Sequence, residues 1–309
     1  MSNNDFKKKR IEYLNNWPEV EPFEIEKQYY DNVRELKSLR KTIFIPFSLK
    51  TEEDVEYNKA ISFIIDAIEE LEKYPNYSFE FMFKAYDSFS KIVSPGNITD
   101  RNRWLCDNKW ALIIDSNSRL KDAILLLLKS IPMKACQYLY TRICDRNSRA
   151  YTRVVKEIVG GTDNINRKKI IESIENKYGY NYYIYSTSIR PASALYRFML
   201  QNEEIDLNNH KYFVSICDKL HFLVSGYIYT LRNDTMHGNN ISITKSSKTN
   251  MSTYANNYYA FLCTYYLVII LMLDKYSSDY SMNKYEELSQ NIIQNIKLYQ
   301  ELFGNHISR

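Results

Sequence analysis

"YYAFLCTYYLVIILMLDKY", Tyr258–Tyr276, decides the fold, because a run this apolar is either a membrane span or the centre of a packed core. Its apolar stretch is about 16 residues, short of the ~20 that a bilayer requires. It also carries Thr264 and several tyrosine hydroxyls. The expectation is therefore a helix buried inside the protein, apolar nearly all round because other helices surround it.

The rest of the chain agrees with a large helical core. It has 309 residues, 45% of them hydrophobic and 15% aromatic, with 28 tyrosines and only 7 Gly and 7 Pro. So few breakers favour long helices joined by short polar loops. The composition is globular rather than disordered. A net charge of +4 does not by itself announce a nucleic-acid binder, so any such reading rests on where the basic residues lie. The five cysteines, Cys106, Cys136, Cys144, Cys217 and Cys263, are scattered and never spaced C-x-x-C. They indicate neither a disulfide framework nor a zinc site, and no cofactor is expected. "MSNNDFKKKR" is polar and basic with no apolar stretch behind it, so no secretory signal is expected and the location is read as cytoplasmic.

Along the chain, the first fifty residues read as charged and irregular, with a short strand in Thr42–Phe47. Thr51 with Asp54 makes a capping box opening a helix to about Tyr74. Ser78–Val93 reads as a second helix, and about Asn102 to Lys129 as a third, buried region. Another helix follows Pro132 to about Val159. Gly160-Gly161-Thr162-Asp163 is the clearest internal break and reads as a linker. It divides the chain into a helical region, 1–160, and a second helical domain, 161–309. Asn166–Lys177 is a short charged helix, and the state of "YGYNYYIYSTS" stays open. Pro191 opens a helix as its first-turn residue. About Met282 to Phe303 forms the last amphipathic helix. There is no P-loop, G-x-S-x-G or H-E-x-x-H.

Ahead of the long apolar run, Phe213, Cys217, Leu220, Val224, Tyr227 and Leu231 step by four and three, which predicts one continuous helical seam. "LRNDTMHG" (231–238) follows its last member, with Gly238 as the expected helix stop. Arg232 and His237 are five apart, about 140° around an unbroken helix. To meet on one ligand they need the helix to end between them, or a second subunit to bring its own pair. The residue types suit RNA cleavage without a metal. An imidazole titrates near neutral pH, a guanidinium holds charge building on phosphorus, and an asparagine orients either. The bland alternative is a polar helix end, with Arg232 in a surface salt bridge and His237 facing the helix dipole. His210, His221 and His306 read as packed or solvated.

"RNDTMH" resembles the R-x(4–6)-H signature of HEPN domains, in the form where a polar residue follows the arginine. That resemblance covers about Ser186–Arg309. It implies an all-α, HEPN-like helical bundle, usually a homodimer with a composite active site. It further implies a metal-independent endoribonuclease of toxin, abortive-infection or antiphage defence type, whose products carry 2′,3′-cyclic phosphate ends. Arg232, Asn233 and His237 match the family's catalytic residues. An alternative is a catalytically inactive HEPN-type module that binds RNA or a regulatory protein partner. The chain departs from the H-x-Y form of the motif, because position 239 is Asn. That puts in doubt antitoxin control through a modified tyrosine.

A second basic feature is the stripe Arg142, Arg146, Arg149, Arg153 and Lys156, spaced by four and three. On one helix these align and could track an RNA backbone. The alternative is a solvated face relieved by Asp145 and Glu157.

Overall fold

A computed structural model describes residues 3–50, 53–144, 146, 149–159, 165–178, 188–207, 209–236, 242–281 and 283–308. The chain is mostly helical. In order come α1 (Asn3–Asn15), α2 (Glu24–Ser38), α3 (Val55–Glu70), α4 (Pro75–Val93) and α5 (Ile98–Leu105). A π-helical turn, Cys106–Trp110, joins α5 to α6 (Ala111–Asp115). Then follow α7 (Ser118–Lys129), α8 (Met133–Cys144), α9 (Arg149–Val159), α10 (Ile165–Tyr178) and α11 (Ile189–Gln201). A small antiparallel hairpin, β1 (Glu204–Leu207) and β2 (His210–Phe213), precedes α12 (Ile216–His221). A second π-helical stretch, Phe222–Ile228, connects α12 to α13 (Tyr229–Met236). Helices α14 (Met251–Lys275) and α15 (Lys284–Phe303) complete the described fold.

The apolar run is the axis of the molecule. Asn250 caps α14 by accepting from the Thr253 amide, and the whole of its most apolar window is buried. Helix α4 packs along it, while α15 packs against both α7 and α14. One continuous apolar cluster thus draws on residues from Tyr29 to Ile307, on both sides of residue 160. Gly160–Asp163 themselves lie outside the described residues.

The tyrosines explain how such a helix can be both apolar and specific. Each ring is apolar along its body and polar at its tip, so it can cross a core and still find a partner. From α14, Tyr258 donates to the Ile43 carbonyl, Tyr259 to that of Leu127 (3.1 Å) and Tyr266 to that of Asn291 (3.2 Å). The Tyr265 hydroxyl accepts from the Phe47 amide at 2.8 Å. Trp110 reaches the same helix from outside, its indole N–H donating to the Leu267 carbonyl at 3.0 Å.

Several expectations change on contact with this packing. Residues 3–38 are largely helical, in α1 and α2, because α2 buries Tyr29, Val33 and Leu36 on one face. Thr42–Phe47 is not a strand. Its polar backbone is satisfied by side chains: Asn295 accepts from the Ile45 amide and, with Asn291, donates to the Ile45 carbonyl. Asp54 itself caps α3, accepting from the Glu56 and Tyr57 amides. The region Asn102–Lys129 is broken at Ser116 and Asn117. Phe213, the expected first member of the seam, sits in β2 and is 61% exposed.

Candidate functional site

The Ile216–Met236 segment starts from a capping box in which Ser215 and Asp218 satisfy each other's amides. The π-helical register then inserts an extra residue per turn. The Tyr229 amide donates to the Val224 carbonyl, and the Thr230 hydroxyl donates to Ser225 O at 3.2 Å. This is why the seam is not a single stripe: Phe222 through Ile228 are all buried, whichever way the spacing points. Gly226 permits the close approach. A Cβ there would lie 2.8 Å from Leu139 Cδ1 on α8 and 2.9 Å from Ile158 Cδ1 on α9.

At the far end of this segment Arg232 and Asn233 lie side by side. Arg232 Nη1 donates to Asn233 Oδ1 at 3.0 Å, and the guanidinium stands over the Phe83 ring, 5.4 Å from its centroid. Asn233 is buried and Arg232 half-buried. Two donors are left over, since neither Arg232 Nε nor Asn233 Nδ2 has a hydrogen-bond partner among the described residues. His237 and Gly238 lie outside the described residues, as does position 239. The geometry therefore brings together two of the three motif residues.

Asp234 points elsewhere. Its carboxylate accepts from the Tyr138 hydroxyl at 2.5 Å and closes an ion pair with Arg142. Arg142 in turn lies over the Tyr138 ring. Burial, with Asp234 adjacent, pushes the Tyr138 hydroxyl far above its ordinary value, so it stays a donor. Leu231, Asp234 and Thr235 line a cavity of about 610 Å³, together with Tyr77, Tyr138 and Asn257. Arg232 and Asn233 do not line it. Within the cavity burial raises the Glu80 carboxyl and lowers the Lys134 ammonium, so both are biased toward neutrality.

The basic stripe does not lie on one helix. Helix α8 ends at Cys144 and α9 begins at Arg149, so Arg142 belongs to one helix and Arg153 and Lys156 to the other. Arg142 is paired with Asp234, and Arg146 with the buried Glu175 at 2.6 Å. The side chain of Arg149 lies outside the described residues. Arg153 is exposed, 6.0 Å from the Tyr229 ring centroid, and Lys156 is exposed. Glu157 is not a solvated counter-charge. It is buried, with Thr99 as hydroxyl donor, and burial pushes its carboxyl up to about 7.

One cluster was invisible to spacing rules because it joins residues far apart in the chain. His221, fully buried, contacts Asp107 Oδ1 through Nε2 at 2.7 Å, and the Cys217 thiol donates to the same oxygen at 3.3 Å. Burial lowers the imidazole below its ordinary value, which favours the neutral ring. The only local sign was Cys217 and His221 at i and i+4, one face of a helix. His210 lies on the exposed strand β2, and His306 beyond the end of α15.

Compared with known proteins, the chain matches no family model, no curated protein and no solved structure.

Proposed function

We propose that this protein is an endoribonuclease of HEPN type, which cleaves RNA through the substrate's own 2′-hydroxyl. The observation that carries the reading is the Arg232–Asn233 pair: a guanidinium oriented by its neighbour's amide oxygen, with Arg232 Nε and Asn233 Nδ2 unpartnered among the described residues. An unsatisfied buried donor costs roughly 1–3 kcal/mol, and an acceptor on a bound ligand would remove that cost. A phosphodiester supplies the missing acceptors, and the guanidinium fork stabilises the extra charge on the phosphorane-like transition state. His237, four residues after Asn233 in the sequence, would take or deliver the proton. No chemical step calls for a bound metal, because the nucleophile is already on the substrate. A second copy of the chain would bring its own pair to a composite site, with base and acid divided between two imidazoles. The defence or toxin role, the RNA partner and the cytoplasmic location belong to the same proposal.

A second reading has its own support. Asn233 is buried and Arg232 is seated on Phe83, and neither faces the large cavity. A catalytically inactive HEPN-type module binding RNA or a protein would present the same geometry.

The test is tag-free protein against total RNA and tRNA in excess EDTA, alongside Arg232→Ala and His237→Ala. The endoribonuclease reading expects cleavage to 2′,3′-cyclic phosphate ends by the wild type and at least a hundredfold loss in either variant. Binding without cleavage would favour the inactive module. Cleavage undiminished in both variants would sink the assignment.

A further inference from the structure

Both π-helical segments among the described residues border one small cluster of side chains. Asp107 lies within Cys106–Trp110, and His221 immediately precedes Phe222–Ile228. Such segments are rare and recur at functional sites. Here they bring three different ligand types together. Asp107 Oδ1, Cys217 Sγ and His221 Nε2 all lie within 4.8 Å of one another.

We infer that Asp107, Cys217 and His221 bind a zinc-type divalent cation, with the fourth coordination position open to water. The donor set is borderline: one thiolate, one imidazole and one carboxylate, the combination that suits zinc or cobalt over magnesium or calcium. Cys217 and His221, one turn apart on α12, form a clip on a single helix face. Asp107 closes it from the neighbouring element. Around a tetrahedral zinc the ligand atoms stand about 3.3–3.6 Å apart, from bond lengths near 2.0–2.3 Å. Cys217 Sγ is already 3.3 Å from Asp107 Oδ1, while the 2.7 Å His221–Asp107 contact must open by roughly half an ångström. The Asp107 side chain is 41% exposed and can swing that far. The same exposure leaves the outer face of the site open, as in three-ligand sites that retain a water.

The competing reading is a polar lock between two helices with no ion in it. It leaves His221 Nδ1 as a buried acceptor without a partner among the described residues, and a cation on Nε2 would place the ring proton there instead. It also concentrates a thiol and an imidazole on the same carboxylate oxygen, where one cation would satisfy all three. On binding, the Cys217 thiol releases its proton to solvent and becomes the ligand. Arg167, buried and with Nη1 at 4.0 Å from Cys217 Sγ and 3.5 Å from Asp218, offsets the thiolate's charge.

The nearest of these ligands, His221, is eleven residues before Arg232 along the chain, so the presence of the site does not depend on the RNA chemistry. The experiment is titration of metal-stripped, tag-free protein with Co²⁺ and Zn²⁺ alone. One equivalent of cobalt should bind and give a thiolate-to-metal charge-transfer band in the near ultraviolet. Zinc should bleach that band by displacement and raise the melting temperature. Cys217→Ser, which keeps the size of a half-exposed side chain, should abolish the band. It should also weaken cobalt binding by at least about 100-fold, since loss of an outer-shell partner alone costs 10–100-fold. Asp107→Asn provides a second variant, with the band retained and affinity reduced. A folded wild type that takes up no cobalt at millimolar concentration overturns the inference. So does cobalt bound without the thiolate band, or equal binding by folded Cys217→Ser.

Discussion

Asp234 and Arg142, 92 residues apart in sequence, form an ion pair at the edge of the Arg232–Asn233 site. One residue of the R-x(4–6)-H motif thereby neutralises the first arginine of the basic stripe. The two features that the sequence presents as separate meet in space. The stripe loses charge by it, since Arg142 and Arg146 are both committed to carboxylates.

Removing that carboxylate should therefore cost stability before it alters chemistry. Asp234→Ala leaves the Tyr138 hydroxyl and the Arg142 guanidinium without their acceptor. A loss of about 1–2 kcal/mol is expected, below that of a fully buried pair because Arg142 keeps some solvent. Tyr138→Phe alone should cost about 1 kcal/mol. Urea unfolding of the two single variants and the double variant would measure their coupling. Strict additivity would mean that the Tyr138–Asp234 hydrogen bond contributes nothing.

At Arg232 charge alone should not suffice. Arg232→Ala is expected to lower the RNA cleavage rate about 10²–10³-fold, the scale for one transition-state donor. Arg232→Lys should recover little, because a single ammonium cannot hold Asn233 Oδ1 and a phosphate together in a planar fork. Single-turnover kinetics with matched circular dichroism would decide it. Full rescue by lysine would show that the fork geometry is irrelevant.

Gly226 sets two effects against each other. Alanine in a helix interior gains up to about 1 kcal/mol over glycine, while over-packing a core costs about 1–3 kcal/mol. The new methyl would meet Leu139 Cδ1 at 2.8 Å and Ile158 Cδ1 at 2.9 Å. These are side-chain ends that can yield in part, so the net loss should be about 1 kcal/mol for Gly226→Ala and larger for Gly226→Val. A more stable alanine variant would show that α8 and α9 are not held close here.

Glu157 should make stability fall as pH rises. Burial raises its folded-state pKa to about 7, above the 4.5 of an exposed carboxyl. Between those values the folded protein holds a proton that the unfolded chain has released. This contribution is present in full below about pH 4.5 and is lost as pH climbs through 7. It amounts to no more than about 3 kcal/mol. Glu157→Gln, neutral throughout, should flatten that part of the profile. Denaturant titrations at pH 5 and pH 8 provide the comparison, and an unchanged slope in the variant would assign it to another group.

Much of the architecture could be read directly from the residues. The run Tyr258–Tyr276 was apolar enough to be read as the centre of a helical core, although α14, at 25 residues, is also long enough to cross a bilayer and only its burial decides between the two. That is where α14 lies. Pro132 and the amphipathic stretch ending at Phe303 likewise mark real boundaries, because proline and helical periodicity act over a few residues. The Arg232–Asn233 juxtaposition was equally local, two neighbours on one turn.

What tertiary structure alone decided came from residues distant in sequence. Thr42–Phe47 has strand-like side chains, yet Asn291, Asn295 and Tyr265 take its backbone hydrogen bonds and leave no need for a sheet partner. Glu157 lies in a stretch patterned like a solvated face and is buried there, its outward charge suppressed. The seam at Leu220–Leu231 follows a regular spacing, but the π-helical register rotates it, since packing around Gly226 favours burying every side chain over a stripe. Asp107 meets Cys217 and His221 across more than a hundred residues. Local propensity acts through neighbours along the chain, whereas burial, pairing and ligand geometry depend on which surfaces the folded helices press together.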